Sequence, residues 1–221
     1  LGLLSHQRAR KAIEDGIFAE EIVTVQVPRR KKDPLPFDTD ERPMDTSLEK
    51  MGKLPPAYVK KDGTVTAGNA SGINDASAAL VVMGRPKADA LGVKPLARIV
   101  GYASGGVDPA YMGLGPIPAV RKVLARTGVS LSDISLLELN EAFASAACGV
   151  TKDSGLIPER TNIHGGAVAI GHPIGASGAR IIATIVAALK RRGLRKGVAA
   201  LCIGGGEATA VAIELVPAAT A

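Results

Sequence analysis

A cysteine and a histidine, each set in a glycine-rich turn, are the residues of this 221-residue chain best suited to chemistry. Cys202 closes an apolar run and is followed by Ile203-Gly204-Gly205-Gly206. His172 lies in the glycine-punctuated stretch Gly165-Gly166-Ala167-Val168-Ala169-Ile170-Gly171-His172-Pro173-Ile174-Gly175-Ala176-Ser177-Gly178. A thiol and an imidazole can work as a pair in acyl or proton transfer. Three consecutive glycines leave backbone N–H groups unshielded by side chains, which suits an oxyanion hole. A third segment, Asn140-Glu141-Ala142-Phe143-Ala144, follows a predicted strand and opens a predicted helix. Each segment also has a structural reading. Asn140 is a good helix cap, His172 beside Pro173 suits a turn, and a free cysteine is usually a small buried hydrophobe. Cys148, inside a run of small helical residues, takes that last reading. The phosphate-binding and serine-hydrolase patterns G-x-x-x-x-G-K-[ST], G-x-G-x-x-G and G-x-S-x-G do not occur.

These residues need elements to hold them. Residues 96–102, 134–139, 198–203 and 208–216 read as strands. Residues 116–127, 142–154 and 178–192 read as helices, stopped by Gly128, Gly155 and Gly193. The alternation predicts an α/β layer structure in which helices cover a largely parallel sheet. The last two strands, joined by the glycine turn, are predicted to be antiparallel neighbours. Residues 27 to about 61, rich in Pro, Asp, Lys and Arg, read as an excursion of loops. Leu4, Ile13 and Phe18, with polar His6, Gln7, Arg8, Arg10 and Lys11 between them, read as the exposed end of a helix whose first turns lie outside the chain. Composition changes near residue 95, dividing the chain into 1–94 and 95–221.

Composition removes several classes. With 46% hydrophobic residues the chain can bury a core, so disorder and fibrous architectures are excluded. Two cysteines and three histidines, without C-x-x-C or H-x-x-x-H, support neither a disulfide framework nor a metal site and predict a reducing, cytoplasmic setting. No apolar run reaches eighteen residues, so no membrane partner is expected. Leu1-Gly2-Leu3-Leu4 is not a signal peptide and reads as an interior piece of something longer. Ala218-Ala219-Thr220-Ala221 is no recognised address. The formal charge of +6 comes from clusters such as Arg29-Arg30-Lys31-Lys32 and Lys190-Arg191-Arg192, read as solvated faces. Six aromatic residues and no RNP or zinc-finger pattern argue against nucleic acid.

The segments N-E-A-F, G-G-A-x-A-x-G-H-P-x-G-A-S-G-A-R and C-I-G-G-G, in that order, together with residues 63–75 and 112–119, resemble the thiolases over essentially the whole chain. The resemblance is nearest to the biosynthetic branch, which condenses two acetyl-CoA into acetoacetyl-CoA and CoA or runs the reverse thiolysis. It implies a thiolase-like layered α/β fold. Residues 95–221 would be its C-terminal βαβαβαββ domain, and 1–94 the end of the N-terminal region with part of the loop domain. By this resemblance His172 would be the base that activates a nucleophilic cysteine, and Cys202 the second cysteine, which exchanges the α-proton and protonates or deprotonates the leaving thiol. Asn140 would hold a water that completes one oxyanion hole with His172, and the Gly204 N–H would serve a second. Ser71 and Ala67 would line the pantetheine channel, and Met112, Ala142 and Phe143 would border the acyl pocket. Tyr58 stands where Phe is frequent near substrate, His164 where Asn is usual, and Arg42 is the nearest candidate to stack on adenine. Coenzyme A thioesters would be substrates rather than cofactors, and a homodimer or homotetramer is implied.

One departure is large. The family's nucleophile sits in a V-C-x-S-G type setting that is not found here, so the N-terminal thiolase half is expected to be absent from the chain. The alternative is a non-catalytic coenzyme A-binding or structural subunit. A ketoacyl synthase, whose pattern has a second histidine where this chain has Cys202, is disfavoured.

Overall fold

The computed structural model describes residues 1–217. In chain order the helices are α1 (Gly2–Glu14), α2 (Leu48–Gly52), α3 (Arg85–Ala90), α4 (Pro116–Thr127), α5 (Ala144–Ser154), α6 (Ala167–Ile170) and α7 (Ser177–Arg192). The strands are β1 (Val25–Arg29), β2 (Lys32–Phe37), β3 (Ala97–Gly106), β4 (Leu136–Leu139), β5 (Lys196–Cys202) and β6 (Glu207–Leu215). Glycine punctuation acts as expected. Gly128, Gly155 and Gly193 follow α4, α5 and α7 with φ of 66°, 63° and 63°, a left-handed stop that residues with a Cβ adopt at a cost.

The central sheet runs β3-β6-β5-β4. Only β4 and β5 are parallel, while β6 is antiparallel to both neighbours. The expected largely parallel sheet is therefore corrected. The glycine turn sends β6 back along β5, and β3 then pairs with β6. Helices cover both faces, because side chains alternate along each strand. Leu137, Leu139, Val198 and Ala200 enter a core with Val120 and Val123 of α4 and Ala147 and Val150 of α5. Leu136 and Ile213 face Ile185, Ala188 and Leu189 of α7 on the other side.

Between α5 and α7 the implied βαβαβαββ order calls for another strand. The described residues there make a single parallel bridge, Leu137 with Thr161. Asn162 takes over as a substitute for the rest of the ladder. Its backbone N–H donates to Leu137 O at 2.9 Å, its side-chain Oδ1 accepts from Leu139 N at 2.8 Å, and its Nδ2 donates to Leu139 O at 2.7 Å. With φ 46° this residue lies in the left-handed region, which asparagine tolerates better than most.

Two readings of the N-terminal region change. Residues 25–37, expected as loops, form an exposed hairpin in which Val25 pairs with Phe37 and Val27 with Leu35. On α1 the buried face is Gly2, Ser5, His6, Ala9 and Ala12, whereas Leu4 is 39% exposed. The chain at Gly165 approaches α1 so closely that a Cβ there would stand 2.6 Å from Ser5 O and 2.8 Å from Ala9 Cβ, so this contact needs glycine at 165.

Candidate active site

β4 and β5 run parallel and end side by side, where Asn140 N donates to Ala200 O at 2.9 Å. Cys202 lies two residues further along β5, a step of about 7 Å on a strand. The sheet thus delivers Asn140 and Cys202 to one edge. His172 arrives from the glycine-rich loop, and its Nε2 lies 3.3 Å from Asn140 Nδ2. Its backbone N–H donates to Gly72 O at 2.9 Å. Gly171 has φ 100°, and a Cβ there would collide with the Asn74 side chain. Glycine at 171 therefore lets the loop close against residues 72–74.

The tautomer of His172 follows from its neighbour. Ser177, the first residue of α7, has one hydroxyl proton and donates it to Pro173 O at 3.0 Å. Its Oγ is also 2.6 Å from His172 Nδ1, so Nδ1 carries the proton and Ser177 accepts it. In a neutral ring Nε2 then holds a lone pair, which receives the Asn140 amide. Burial, and then the Arg180 cation, hold the His172 pKa below the ordinary histidine value. The result is a neutral base at physiological pH. Asn140 Oδ1 is buried without a partner, leaving an acceptor free for water or substrate.

Cys202 is buried at 7% exposure. Burial pushes its thiol above the ordinary range, and only its own backbone opposes this. The thiol rests protonated, and neighbouring charges do not favour its thiolate. After it the chain turns through Gly204–Gly206, where Gly205 and Gly206 have φ of 87° and 94°. A Cβ on Gly204 would meet nothing within 4 Å, so its surroundings are open.

The segment around residues 66–72 gathers the other candidates. Ser71 N donates to Ala142 O at 3.0 Å, and Ala144 N donates to Asn69 O at 2.8 Å. Tyr58 packs edge-on to Phe143 with ring centroids 6.0 Å apart. Ser71, Ala142, Phe143 and Tyr58 therefore adjoin Asn140 and the Gly72 contact to His172. Ala67 stands exposed in the preceding turn. Met112 lies in the helical turn Pro109–Leu114, which packs against α5 and the Gly204–Gly206 turn. The Arg42 guanidinium donates to Ala70 O at 3.0 Å and Val168 O at 3.3 Å, clamping two loops of the site.

Several supporting residues escaped the sequence reading. Glu141, 3% exposed, accepts from Ser5 Oγ at 2.6 Å, Asn162 Nδ2 at 2.9 Å and Val168 N at 3.3 Å. It ties the histidine loop to β4 and α1. Ser177 was legible as part of the glycine-rich motif, but only geometry assigns it to His172.

Comparison with known proteins bears on the family and the fold. The family model of the thiolase C-terminal domain matches residues 93–215, and that of the thiolase N-terminal domain matches residues 2–86. The chain belongs to the thiolase family. The second match corrects the expectation that the N-terminal thiolase domain is wholly absent. This thiolase is 55% identical over 215 residues to an acetyl-CoA acetyltransferase of Syntrophomonas wolfei, covering 96% of this chain and 54% of that one. It is 53% identical to the acetyl-CoA acetyltransferase of Escherichia coli, with 97% and 54% covered. Among solved structures, a Bacillus anthracis acetyl-CoA acetyltransferase superposes with a TM-score of 0.94 at 51% identity, covering 98% of this chain and 55% of that one. Human mitochondrial 3-ketoacyl-CoA thiolase gives 0.90 at 43%, covering 97% and 54%. The chain spans about half the length of the curated relatives it matches.

Proposed function

We propose that this thiolase transfers acetyl groups between coenzyme A thioesters, condensing two acetyl-CoA to acetoacetyl-CoA and CoA or running the reverse thiolysis. The observation that carries the reading is the Asn140, His172 and Ser177 chain, which presents a neutral imidazole Nε2 at the strand edge that also holds Cys202. His172 takes the proton from the attacking thiol. Cys202, protonated at rest, gives its proton to the departing CoA thiolate. The resulting Cys202 thiolate removes the α-proton of the second acetyl-CoA, which restores the thiol and leaves an enolate to attack the acyl group. The free Asn140 Oδ1 holds the water that supports the thioester oxygen. Neither cysteine of the chain occupies the V-C-x-S-G setting, so the acyl-carrying nucleophile is contributed by polypeptide beyond these 221 residues, and the acting enzyme is a homodimer or homotetramer in the cytoplasm.

Thiolysis of acetoacetyl-CoA, assayed on a sample whose intact mass is measured, tests this. His172→Ala and Cys202→Ala are each expected to lower kcat by roughly 10²–10⁴-fold, the usual contribution of a proton-transfer group. Near-normal turnover in both rejects the site. Coenzyme A binding with no turnover in a sample containing the longer polypeptide would instead favour a non-catalytic subunit.

A further inference from the structure

His172 follows two residues after α6 (Ala167–Ile170), so the placement of its ring depends on a helix of one turn. A helix this short is not stable by itself. What fixes it is the set of partners that its first N–H groups find. Gly166 N donates to Ser5 Oγ at 3.0 Å, Ser5 Oγ donates to Glu141 Oε2 at 2.6 Å, and Val168 N donates to that same oxygen at 3.3 Å. Two N–H groups of one turn thus end on a single carboxylate oxygen, one directly and one through a hydroxyl. A Cβ on Gly166 would stand 2.5 Å from Glu141 Cδ, so the carboxylate packs directly on the backbone it holds. Val168 O in turn accepts from Arg42 at 3.3 Å.

Ser5 is carried by α1, and helical spacing decides what comes with it. Positions 5, 8 and 9 share one face. Arg8 donates to Pro158 O at 2.9 Å and to Thr161 O at 2.8 Å, and Ala9 meets Gly165. α1 is therefore docked on the chain that leads into the histidine loop. The Ser5 hydroxyl, 2% exposed, is held where it accepts from one group and donates to another. Alanine suits the helix equally well and has neither capacity. Glu141 is anchored separately by Asn162, whose Nδ2 donates to Oε1 at 2.9 Å. Beyond α6 the His172 Nε2 meets the Asn140 amide at 3.3 Å. An Nε2–H tautomer would set two donors face to face there, so this contact excludes it for as long as α6 keeps the ring in place.

We propose that Ser5 is a positioning residue for His172: it relays the Gly166 N–H to Glu141 and so holds α6 where the imidazole is kept as the Nδ1–H tautomer. This rests on the reading of His172 as the base. The test is a pH titration of the histidine-labelled full chain by ¹⁵N NMR, where three histidines keep the spectrum simple. The two ring nitrogens of neutral His172, identified by their loss in His172→Ala, report the tautomer. The parent protein is expected to show Nδ1–H as the main form. In Ser5→Ala the ratio of Nε2–H to Nδ1–H is expected to rise about two- to tenfold, the change that one hydrogen bond makes in an equilibrium. Val123→Ala removes buried volume from the α4 core instead. It is the control for lost stability alone, and the parent ratio is expected there. If Ser5→Ala does not fold, Glu141→Gln, which keeps the side-chain shape and loses one acceptor oxygen, is expected to raise the ratio in its place. A parent ratio in whichever of the two folds overturns the proposal, as does an equal rise in Val123→Ala. The spectrum needs no turnover, so absence of thiolysis in every sample would remove the proposed function without deciding this one. Where turnover is present, Ser5→Ala is expected to lower kcat about two- to tenfold with KM unchanged.

Discussion

Three histidines in one chain have three different fates, and burial with hydrogen bonding decides each. His172 keeps partners on both ring nitrogens. Ser177→Ala removes the acceptor that fixes its tautomer, a hydrogen bond worth roughly 0.5–1.5 kcal/mol. Thiolysis kcat is expected to fall about two- to tenfold, with little change in KM, measured by steady-state kinetics. His6 is wholly buried and accepts from Met44 N at 3.2 Å. His164 is 7% exposed, packs edge-on against Phe18 at 6.2 Å, and has Nδ1 buried without a partner. Burial first, then Arg192, Arg191 and Arg8, lower its pKa from 6.5 to about 4. Above 6.5 it is neutral whether the chain is folded or not, and contributes no pH dependence. As pH falls from 6.5 toward 4 the unfolded chain gains a proton that the folded chain refuses, so stability is lost across that window and no further below it. His164→Asn cannot ionise. Its urea midpoint is expected to drop less than that of the parent protein between pH 7.5 and pH 5, and equal drops would contradict this account.

At the scale of elements, what the sequence made legible was whatever short-range chemistry dictates. The bounds of α4 were readable because Pro116 starts it and Gly128 stops it. The motif loops could be placed at strand ends because their glycines are needed there for positive φ or close approach. Pairing was less legible, since strand direction depends on partners far away in sequence. The mixed sheet and the 25–37 hairpin escaped for that reason, the hairpin also because Pro28, Pro34 and Pro36 read as loop. Asn162 escaped as well, because its work is to replace a strand by side-chain bonds. Asn162→Ala would leave Leu139 N, Leu139 O and part of Glu141 unpaired inside the core. At roughly 1–3 kcal/mol for each buried group so stranded, relieved in part by water, the expected loss is about 2–4 kcal/mol, read from denaturant midpoints. The same variant is expected to reduce activity, because Glu141 would no longer hold the histidine loop to β4.

For the molecule as a whole, the distribution of apolar surface sets behaviour in solution. The amphipathic helix α7 buries Ile181, Ile185 and Leu189, the last two against Leu136 and Ile213 of the sheet, and its Thr184 donates to Glu21 from the N-terminal region. The bare surface lies elsewhere. Residues 71–84 form neither helix nor strand, and within them Ile73 is 97% exposed, Val81 88% and Val82 68%, with Leu80 and Met83 also exposed. Residues 76–84 carry no charge. A short, uncharged, β-branched window of this kind, open to solvent and free of proline, is the composition that drives association, and monomers rarely leave such patches uncovered. The 221 residues on their own are therefore expected to self-associate, with light scattering giving a mass above the 22.6 kDa of one chain. Val81→Lys with Val82→Glu adds charge at the two most exposed large apolar positions of that window, neither of them in the buried core. This double variant is expected to shift the distribution toward monomer while leaving the His172 titration where it was. A parent chain that stays monomeric at high concentration would show that the patch is not the adhesive surface its exposure implies.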